Sequence, residues 1–441
     1  MSEKIMKKSR GLIAALLGTV MIAALTIWGC GTSSYDDPSA TTTKSSAVIT
    51  AATLKGWIDE GKLNSPYGSR DRVVVVSPST TIDWTGKGHI PGAVRLDTST
   101  EVANSRIEGL ALATNMMPTG AMMDAIVQRL GIDGNTTIVI SLPKNSTIYY
   151  QSLVFWNFRY WGFARDRIKI LNGGDDAWDV AGYSLSTDAT EKYTASIYSV
   201  AQNGTLKDVV RYSLGEMITT TDALINTPTL EETWQILDVR GATITPYITN
   251  AQRLVLQPGH AASYTMYLSR LNGDSTRNFV YPDKATFETR LATLAVKDGI
   301  SDVYASAIKK TVVMCASSFS ASPTFVLFDA VIGAAEGDIM MYDGSSSQWN
   351  VYSAARLSAK YPAATPAQIS AWAFDNLAAP IRAQGILPAS TDLSIWSATA
   401  PVLGPTHLDM NQIENADKAY LTPAIPTTTT GGGASSSVPP C

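Results

Sequence analysis

Two pairs of short motifs recur along this chain at the same distance, and this duplication limits the possible architecture more than any other feature of the sequence. Gly88-His89 recurs as Gly259-His260, and Trp178 recurs as Trp349, in both cases 171 residues later. Equal shifts at two separated places are typical of an internal repeat. We therefore predict a tandem duplication, with two related domains in one chain.

Both halves show the same order of apolar and polar segments. A short apolar strand opens each half, a Gly-His turn and helical segments follow, and two further apolar strands flank a helical run. The predicted strands are RVVVVS, TTIVIS and RIKIL in the first half, and WQILDV, TVVMC and DIMMY in the second. Short buried strands that alternate with helices predict an α/β fold, with a mainly parallel sheet flanked by helices in each domain.

Composition divides the chain into six segments. Residues 47–190 form the first predicted domain, and residues 206–358 form the second. The other segments are an N-terminal signal segment (1–29), a flexible polar tether (30–46), a C-terminal extension (360–425) and a disordered low-complexity tail (426–441). The extension has one helix candidate, TPAQISAWAFDNLAAP. We expect the extension to pack across the two domains or to dock onto a partner.

The N-terminus is typical of an exported bacterial lipoprotein. A basic start, MSEKIMKKSR, precedes an apolar stretch that ends LTIWGC, which is a signal-peptide pattern. A retained anchor is the alternative, since the stretch is about long enough to span a bilayer. The ending resembles a lipobox, which implies lipidation at Cys30. Because Gly31 rather than Asp follows the cysteine, the resemblance to Gram-negative lipoproteins implies an outer-membrane location.

Charge and cysteine content argue against several classes of function. Without residues 1–29, which hold four basic residues and one acidic residue, the formal net charge falls from −4 to −7. The sequence therefore offers no basic stripe to a nucleic-acid partner. Besides Cys30 only Cys315 and Cys441 remain, and the three histidines lie far apart. Because no metal-ligand spacing is present, we predict neither a metal site nor a cofactor.

Cys315 ends the predicted strand TVVMC, and CASSFSA leads from it into a helical run. Ligands of parallel α/β sheets bind beyond the carboxyl ends of strands. A thiolate there is a nucleophile, and the backbone N–H groups of residues 316–321 would stabilise its charge together with the helix start. A buried structural cysteine is the alternative. Ser141 takes the matching place in the first half with no base beside it, so we predict a catalytically silent first domain.

The motifs of both halves resemble those of a known family. GHIPGAVRLD, LNGGDDAW and YDGSSSQW resemble signatures of the tandem rhodanese-type sulfurtransferases, which include the thiosulfate and 3-mercaptopyruvate sulfurtransferases, over residues 46 to about 358. The active loop of the mercaptopyruvate branch reads C-G-S-G-V-T-A. Here the loop reads C-A-S-S-F-S-A, with Ala316 and Ser318 in place of glycines. The resemblance implies two rhodanese-like domains and sulfur transfer.

The resemblance also implies roles for individual residues. Cys315 would carry the sulfur as a persulfide, and the donor would be bound by Ala316, Ser317, Ser318, Phe319, Ser320 and Ala321. Arg240 matches a family arginine that binds the donor's carboxylate or sulfonate, with pairing to Asp238 as the alternative. His89 is expected to hold its turn by hydrogen bonds, with a minor catalytic role as the alternative that the family implies.

Two functions of different classes follow as predictions. The first is a sulfurtransferase that moves a sulfane sulfur from 3-mercaptopyruvate or thiosulfate through Cys315 to a thiol or cyanide acceptor. The absence of Lys and Arg from residues 315–320 favours the organic donor. The second is a non-catalytic lipoprotein that keeps this fold as a binding or assembly component of the cell envelope, in sulfur or selenium handling or electron transfer. In that case residues 360–425 would bind an envelope protein. With either function, the N-terminal lipid would attach the protein to the membrane.

Overall fold

The computed structural model describes parts of both halves of the chain. The described residues are 47–109, 111–191, 194–203, 205–226, 234–240, 255–256, 268–297, 310–349, 352, 363, 365 and 409–421. From residue 47 onward they belong to one compact unit, Ser46–Cys441. Cys30, His260, Cys441 and nearly all of the helix candidate that starts at Thr365 lie outside the described residues. Within the described ranges, no helix is both long enough and apolar enough to cross a membrane.

Short strands and helices alternate along both halves. The strands are β1 (Val48–Ile49), β2 (Val73–Ser79), β3 (Val94–Asp97), β4 (Asn104–Glu108), β5 (Ala111–Met116), β6 (Thr137–Ile140), β7 (Ile168–Leu171), β8 (Trp234–Asp238), β9 (Val255–Leu256), β10 (Ser269–Arg270), β11 (Phe279–Val280), β12 (Lys310–Met314) and β13 (Ile339–Met341). The helices are α1 (Ala51–Asp59), α2 (Thr81–Gly86), α3 (Gly120–Arg129), α4 (Ile148–Tyr160), α5 (Gly174–Val180), α6 (Val200–Asn203), α7 (Leu214–Asn226), α8 (Lys284–Lys297), α9 (Ala321–Val326) and α10 (Gln412–Leu421). Three of the helices begin after a threonine, Thr50, Thr80 or Thr119, whose side chain accepts a backbone N–H of the first turn.

Each half contains a parallel sheet. The first sheet has the order β1-β7-β6-β2-β3, and all of its strand pairs are parallel. The second has the order β13-β12-β8-β9, again with parallel pairs only. Every residue of β2 is buried, as expected for a strand that is covered on both faces. The predicted α/β fold with parallel sheets flanked by helices is confirmed, and the division into domains stays a prediction.

The two faces of the first sheet contribute to different cores. Val74 belongs to the larger core, which continues into the second half and includes Phe325. Val75 faces the opposite side, in a smaller core that contains Trp178. This alternation follows from the two-residue period of a strand. Trp178 and Trp349, which the repeat distance relates, are 3% and 0% exposed, so both are core residues.

An antiparallel hairpin interrupts the first half and was not predicted from the sequence. Strands β4 and β5 form it, with Gly109 in the turn at φ +57°. The positive φ of Gly109 favours glycine, and a Cβ there would lie 2.5 Å from Met410 Sδ and displace this side chain. The hairpin therefore packs closely against the C-terminal part of the chain.

Helix α10 holds this C-terminal part against both halves. Arg106 of the hairpin donates two hydrogen bonds of 2.8 Å to the Asp417 carboxylate, and the Tyr160 hydroxyl donates a third at 2.9 Å. On the other side, Gly215 N–H donates to Met410 O at 2.9 Å. Residues 409–421 thus contact both halves, as expected for an extension that packs across them. Helix α10 itself was not predicted, since the only helix candidate of residues 360–425 starts at Thr365.

Candidate active site

Cys315 lies directly after β12, in the middle of the second sheet, and opens the loop that runs to α9. The residue is only 2% exposed. Its N–H donates to Ser345 Oγ at 3.2 Å, and its carbonyl accepts the N–H of Ser346 at 2.9 Å. The predicted strand–loop–helix arrangement around Cys315 is therefore present, and the turn after β13 holds its backbone on both sides.

Ser345 fixes the loop at two points. Its Oγ accepts the N–H groups of Cys315 and Ser318, both at 3.2 Å, and donates to Tyr342 O at 2.9 Å. Ser345 has φ +52° and is fully buried. The motif YDGSSSQW contains this serine, but its role depends on contacts 27 and 30 residues away. The sequence carried no signal that separated it from its serine neighbours.

The loop has a left-handed backbone at one of the two positions where the resembled family has glycine. Ser318 has φ +67°, whereas Ala316 lies outside the positive-φ region. A side chain in this region is strained, but the Ser318 hydroxyl lies 2.7 Å from Asn115 O and 2.6 Å from Ser317 O. These contacts offset part of the strain, so serine serves here in place of glycine.

The expected anion cradle of residues 316–321 is smaller than predicted. The N–H groups of Ser318, Phe319 and Ala321 are already used, by Ser345 Oγ, Ser317 O and Ser318 O respectively. Three donors remain without a partner among the described residues, namely the N–H groups of Ala316, Ser317 and Ser320. The expectation of six converging donors is therefore wrong, because the left-handed turn at Ser318 folds the loop back on itself.

The first half of the chain covers the loop from two sides. Asn115 of β5 donates from Nδ2 to Ser317 O at 3.2 Å and to Ser317 Oγ at 3.0 Å. On the other side, the Phe319 ring packs against Tyr149 and Tyr150 of α4, with ring centroids 6.0 and 5.2 Å apart. The site is thus built from both halves, and no residue of the first half had been assigned to it except His89.

Arg240 and His89 lie in different surroundings. Arg240 is 5% exposed and follows Val239, whose N–H donates to Met314 O at 2.9 Å. The backbone of Arg240 therefore lies at the same sheet edge as the Cys315 loop, and its donor-binding role stays a prediction. His89 stacks on Trp84 with ring centroids 3.5 Å apart, and burial lowers its pKa. None of its described contacts reaches the loop, which favours the structural role.

In the structure Leu142, not Ser141, is the first-half residue equivalent to Cys315. In the first half the N–H of Asp175 donates to Leu142 O at 2.9 Å, and in the second half the N–H of Ser346 donates to Cys315 O at 2.9 Å. Positions 175 and 346 are related by the shift of the repeat. The prediction of Ser141 is therefore wrong by one position, since an apolar run does not show which residue ends the paired part of a strand.

Backbone geometry supports the same register. The left-handed loop residues Asn145 (φ +55°) and Ser318 (φ +67°) are 173 positions apart, as are Leu142 and Cys315. Helices α4 and α9 also begin 173 positions apart. The first half thus presents an aliphatic side chain where the second presents a thiol, which strengthens the prediction that the first domain is silent.

Ser141 has a carboxyl neighbour that the sequence did not reveal. Asp175 is fully buried, and neither of its carboxyl oxygens has a hydrogen-bond partner in the described part of the chain. Burial raises the pKa of Asp175 to about 8, although the nearby Ser141 hydroxyl lowers it in part. At neutral pH this carboxyl group is therefore protonated, and it cannot act as a general base toward Ser141.

A buried charge cluster lies beside the base of the loop. The Arg211 guanidinium contacts the carboxylates of Glu108 at 2.8 Å, Asp343 at 3.0 Å and Glu414 at 3.4 Å. Burial raises the pKa of Asp343 to about 6 and that of Glu414 to about 7, although Arg211 lowers both. The guanidinium of Arg211 thus pairs with three carboxyl groups. Asp343 precedes Ser345 by two residues, so this cluster supports the turn that holds Cys315.

Comparisons with known proteins found relatives that are named sulfurtransferases. No protein-family model matches the chain. "Putative thiosulfate sulfurtransferase SseB" of Mycobacterium tuberculosis is 31% identical over 140 residues, a match that covers 32% of this chain and 46% of the relative. "Putative thiosulfate sulfurtransferase SseA" of Mycobacterium leprae is 24% identical over 266 residues, which cover 59% of this chain and 77% of the relative.

A solved structure is also similar. Its title is "The 'Rhodanese' fold and catalytic mechanism of 3-mercaptopyruvate sulfotransferases: Crystal structure of SseA from Escherichia coli", and it matches 68% of this chain and 99% of its own, at 16% identity and a TM-score of 0.45. The chain spans about half the length of the first curated relative. At this low identity, the chain is similar to proteins that are named putative thiosulfate sulfurtransferases.

Proposed function

We propose that this chain transfers a sulfane sulfur through a persulfide on Cys315. The observation that carries the proposal is the position of this thiol. Among the described residues Cys315 is the only cysteine, and it stands at the carboxyl end of a central parallel strand. Three N–H groups that have no partner in the described part of the chain follow it within the same loop. Such N–H groups stabilise a thiolate and the persulfide anion that replaces it.

The reaction has two displacement steps. The Cys315 thiolate attacks the sulfur atom that the donor gives up, which is the thiol sulfur of 3-mercaptopyruvate or the outer sulfur of thiosulfate, so that an S–S bond forms on the enzyme. With 3-mercaptopyruvate the carbon–sulfur bond breaks, and the pyruvate enolate that leaves takes up a proton. With thiosulfate the sulfur–sulfur bond breaks and sulfite leaves. A thiol or cyanide then attacks the outer sulfur, and the Cys315 thiolate is regenerated. The absence of Lys and Arg from the loop favours the organic donor, and Arg240 is the candidate group for its carboxylate.

Sulfur loading tests this function. After incubation with 3-mercaptopyruvate or thiosulfate, we expect mass spectrometry to find one added sulfur atom on the Cys315 peptide. Cys315→Ser should abolish the gain, because a hydroxyl group at its ordinary pKa is a poor nucleophile. Ser141→Ala is the matched control and should load normally, since the first half places Leu142 at the equivalent position. Equal losses in both variants would contradict the proposed division of roles.

The burial of Cys315 favours a second candidate, a non-catalytic binding or assembly component of the cell envelope. At 2% exposure, the residue requires a local opening of the loop before a donor reaches it. We therefore expect slow turnover. If the native protein gains no sulfur from either donor, and iodoacetamide labels Cys315 only after unfolding, the second candidate replaces the first.

We further propose that the protein is a lipoprotein anchored at Cys30, as the ending LTIWGC suggests. Cys30→Ala should release the protein from the membrane fraction or leave the precursor uncut, whereas Cys441→Ala should change neither result. Fractionation of cell envelopes followed by immunoblotting measures both outcomes. A Cys30→Ala protein that matures normally and stays with the membrane would exclude lipidation at this residue.

A further inference from the structure

Asn115 reaches from the hairpin of the first half to the loop of the second. It lies in β5 at φ +59°, where the pairing of β4 and β5 is irregular between Asn104 and Arg106. Asparagine tolerates this left-handed backbone better than most residues do. A bulge of this kind redirects a side chain out of the regular strand pattern. Here it lets the Asn115 side chain contact Ser317, 202 positions further along the chain.

The contacts of Asn115 define the direction of each hydrogen bond. Its side chain lies 3.2 Å from Ser317 O, which is a pure acceptor, so the end of the amide that faces Ser317 is the NH₂ group. The same NH₂ group lies 3.0 Å from Ser317 Oγ and donates to it. Ser317 Oγ therefore accepts from Asn115, and its own proton is directed elsewhere. Because Ser317 lies two positions after Cys315 in the same loop, this proton can serve a negatively charged atom near that residue.

We propose that Asn115 is a positioning residue, which orients the Ser317 hydroxyl as a hydrogen-bond donor to the negative charge that develops on the Cys315 sulfur or on the bound sulfur donor. This role rests on the proposed function for the donor, but the thiolate alone is enough to test it. Asn115 acts through Ser317 and does not itself touch the reacting atoms.

The hairpin that carries Asn115 is firmly supported. Its residue Arg106 is paired with Asp417 at 2.8 Å, and Glu108 is paired with Arg211 at 2.8 Å, with all four side chains at most 9% exposed. The turn is tied to the C-terminal segment by Gly109 N–H, which donates to Asp409 O at 3.2 Å. A donor group on so well-anchored an element keeps its direction, which is what a positioning role requires.

A double-mutant cycle tests the proposal with the full-length protein. Asn115→Gly removes the amide but keeps the left-handed backbone and the carbonyl that accepts from Ser318. Ser317→Ala removes the hydroxyl. We expect each variant to load sulfur from 3-mercaptopyruvate about tenfold more slowly. The double variant should be no slower than Ser317→Ala alone, because Asn115 acts only through that hydroxyl. Asn272→Gly, at an exposed residue with φ +53°, is the matched control and should load normally.

A pH profile separates this role from a merely structural one. In Asn115→Asp the new carboxylate would accept the Ser317 proton and so withdraw it from the sulfur. At low pH the protonated carboxyl group can donate to Ser317 Oγ again. The loading rate of this variant, divided by that of the wild type at the same pH, should therefore rise as the pH falls. A ratio that stays constant with pH would overturn the proposal.

Iodoacetamide labelling of Cys315 in the same variants separates the failure of this proposal from the failure of the proposed function. The wild type could load no sulfur while Asn115→Gly, Ser317→Ala and the double variant all slow the labelling of Cys315 equally. That result would reject sulfur transfer and support the role of Asn115. If the wild type loads sulfur normally but the losses of the two single variants add up in the double variant, sulfur transfer is supported and the role of Asn115 is rejected. A thiol that labels only after unfolding would overturn the role of Asn115 as well.

Discussion

Replacing Arg211 with methionine is expected to destabilise the protein by about 3–5 kcal/mol, because removal of one partner leaves buried charges uncompensated. Arg211 is fully buried and is the one cation that contacts Glu108, Asp343 and Glu414 in the described part of the chain. Methionine fills a similar volume without charge. Urea unfolding followed by circular dichroism at neutral pH measures the change in the free energy of unfolding.

The control for this prediction is another arginine-to-methionine change. Arg129 is 31% exposed and pairs with Glu101 at 2.7 Å, so Arg129→Met should cost about 1 kcal/mol or less. The loss caused by Arg211→Met should also shrink at acid pH. The reason is that the pKa values of Asp343 and Glu414 are already raised, to about 6 and about 7. Equal losses for the two arginines, or a loss that does not change with pH, would contradict the role of the cluster.

Asp175→Asn is expected to stabilise the protein at pH 8 by several kcal/mol and to have little effect at pH 4. Burial raises the pKa of the folded-state carboxyl from 3.8 to about 8. The folded state therefore holds a proton that the unfolded state has lost, and stability falls as the pH rises through this interval. The full difference is of the order of 5 kcal/mol at 1.36 kcal/mol for each pKa unit. Asparagine has no charge to bury, so the stability of the variant should not fall as the pH rises through this interval.

Asp179→Asn provides a control of opposite sign. Its hydrogen bond from Lys144 lowers the pKa of Asp179, as does a second from Arg277. The carboxylate of this partly exposed residue therefore adds a little stability, which is present above the ordinary pKa of an aspartate and is lost as the pH falls. Urea unfolding midpoints at pH 4, 6 and 8 compare the two variants with the wild type. If Asp175→Asn shows the same pH dependence as the wild type, Asp175 is ionised in the folded protein.

Much of the fold could be predicted because it depends on local pattern. The run from Val73 to Val76 has no polar position, so it fits only a strand that is covered on both faces. The repeat distance indicated that Trp178 and Trp349 occupy equivalent positions, and both are buried. The position of Cys315 between a strand and a helix also followed from the order of apolar and small residues around it.

The hairpin of β4 and β5 could not be predicted in the same way. Its strand Asn104–Glu108 has one apolar residue, Ile107, which is 55% exposed, so no alternating pattern indicated a buried face. Helix α10 was missed for a related reason. Its contacts with the rest of the protein come largely from charged and polar side chains such as Glu414 and Asp417, which the sequence alone suggests are exposed.

By itself, the sequence determined the duplication, the α/β class, the buried strands and the loop at Cys315, since each depends on residues that are close together in the chain. Only the tertiary structure decided that Leu142 is the counterpart of Cys315, because strand register is set by pairing and not by composition. It also decided that Asn115 and Ser345 hold the loop, through contacts that span 202 and 30 positions. Such contacts exist only once distant parts of the chain have packed together, and no local pattern specifies them.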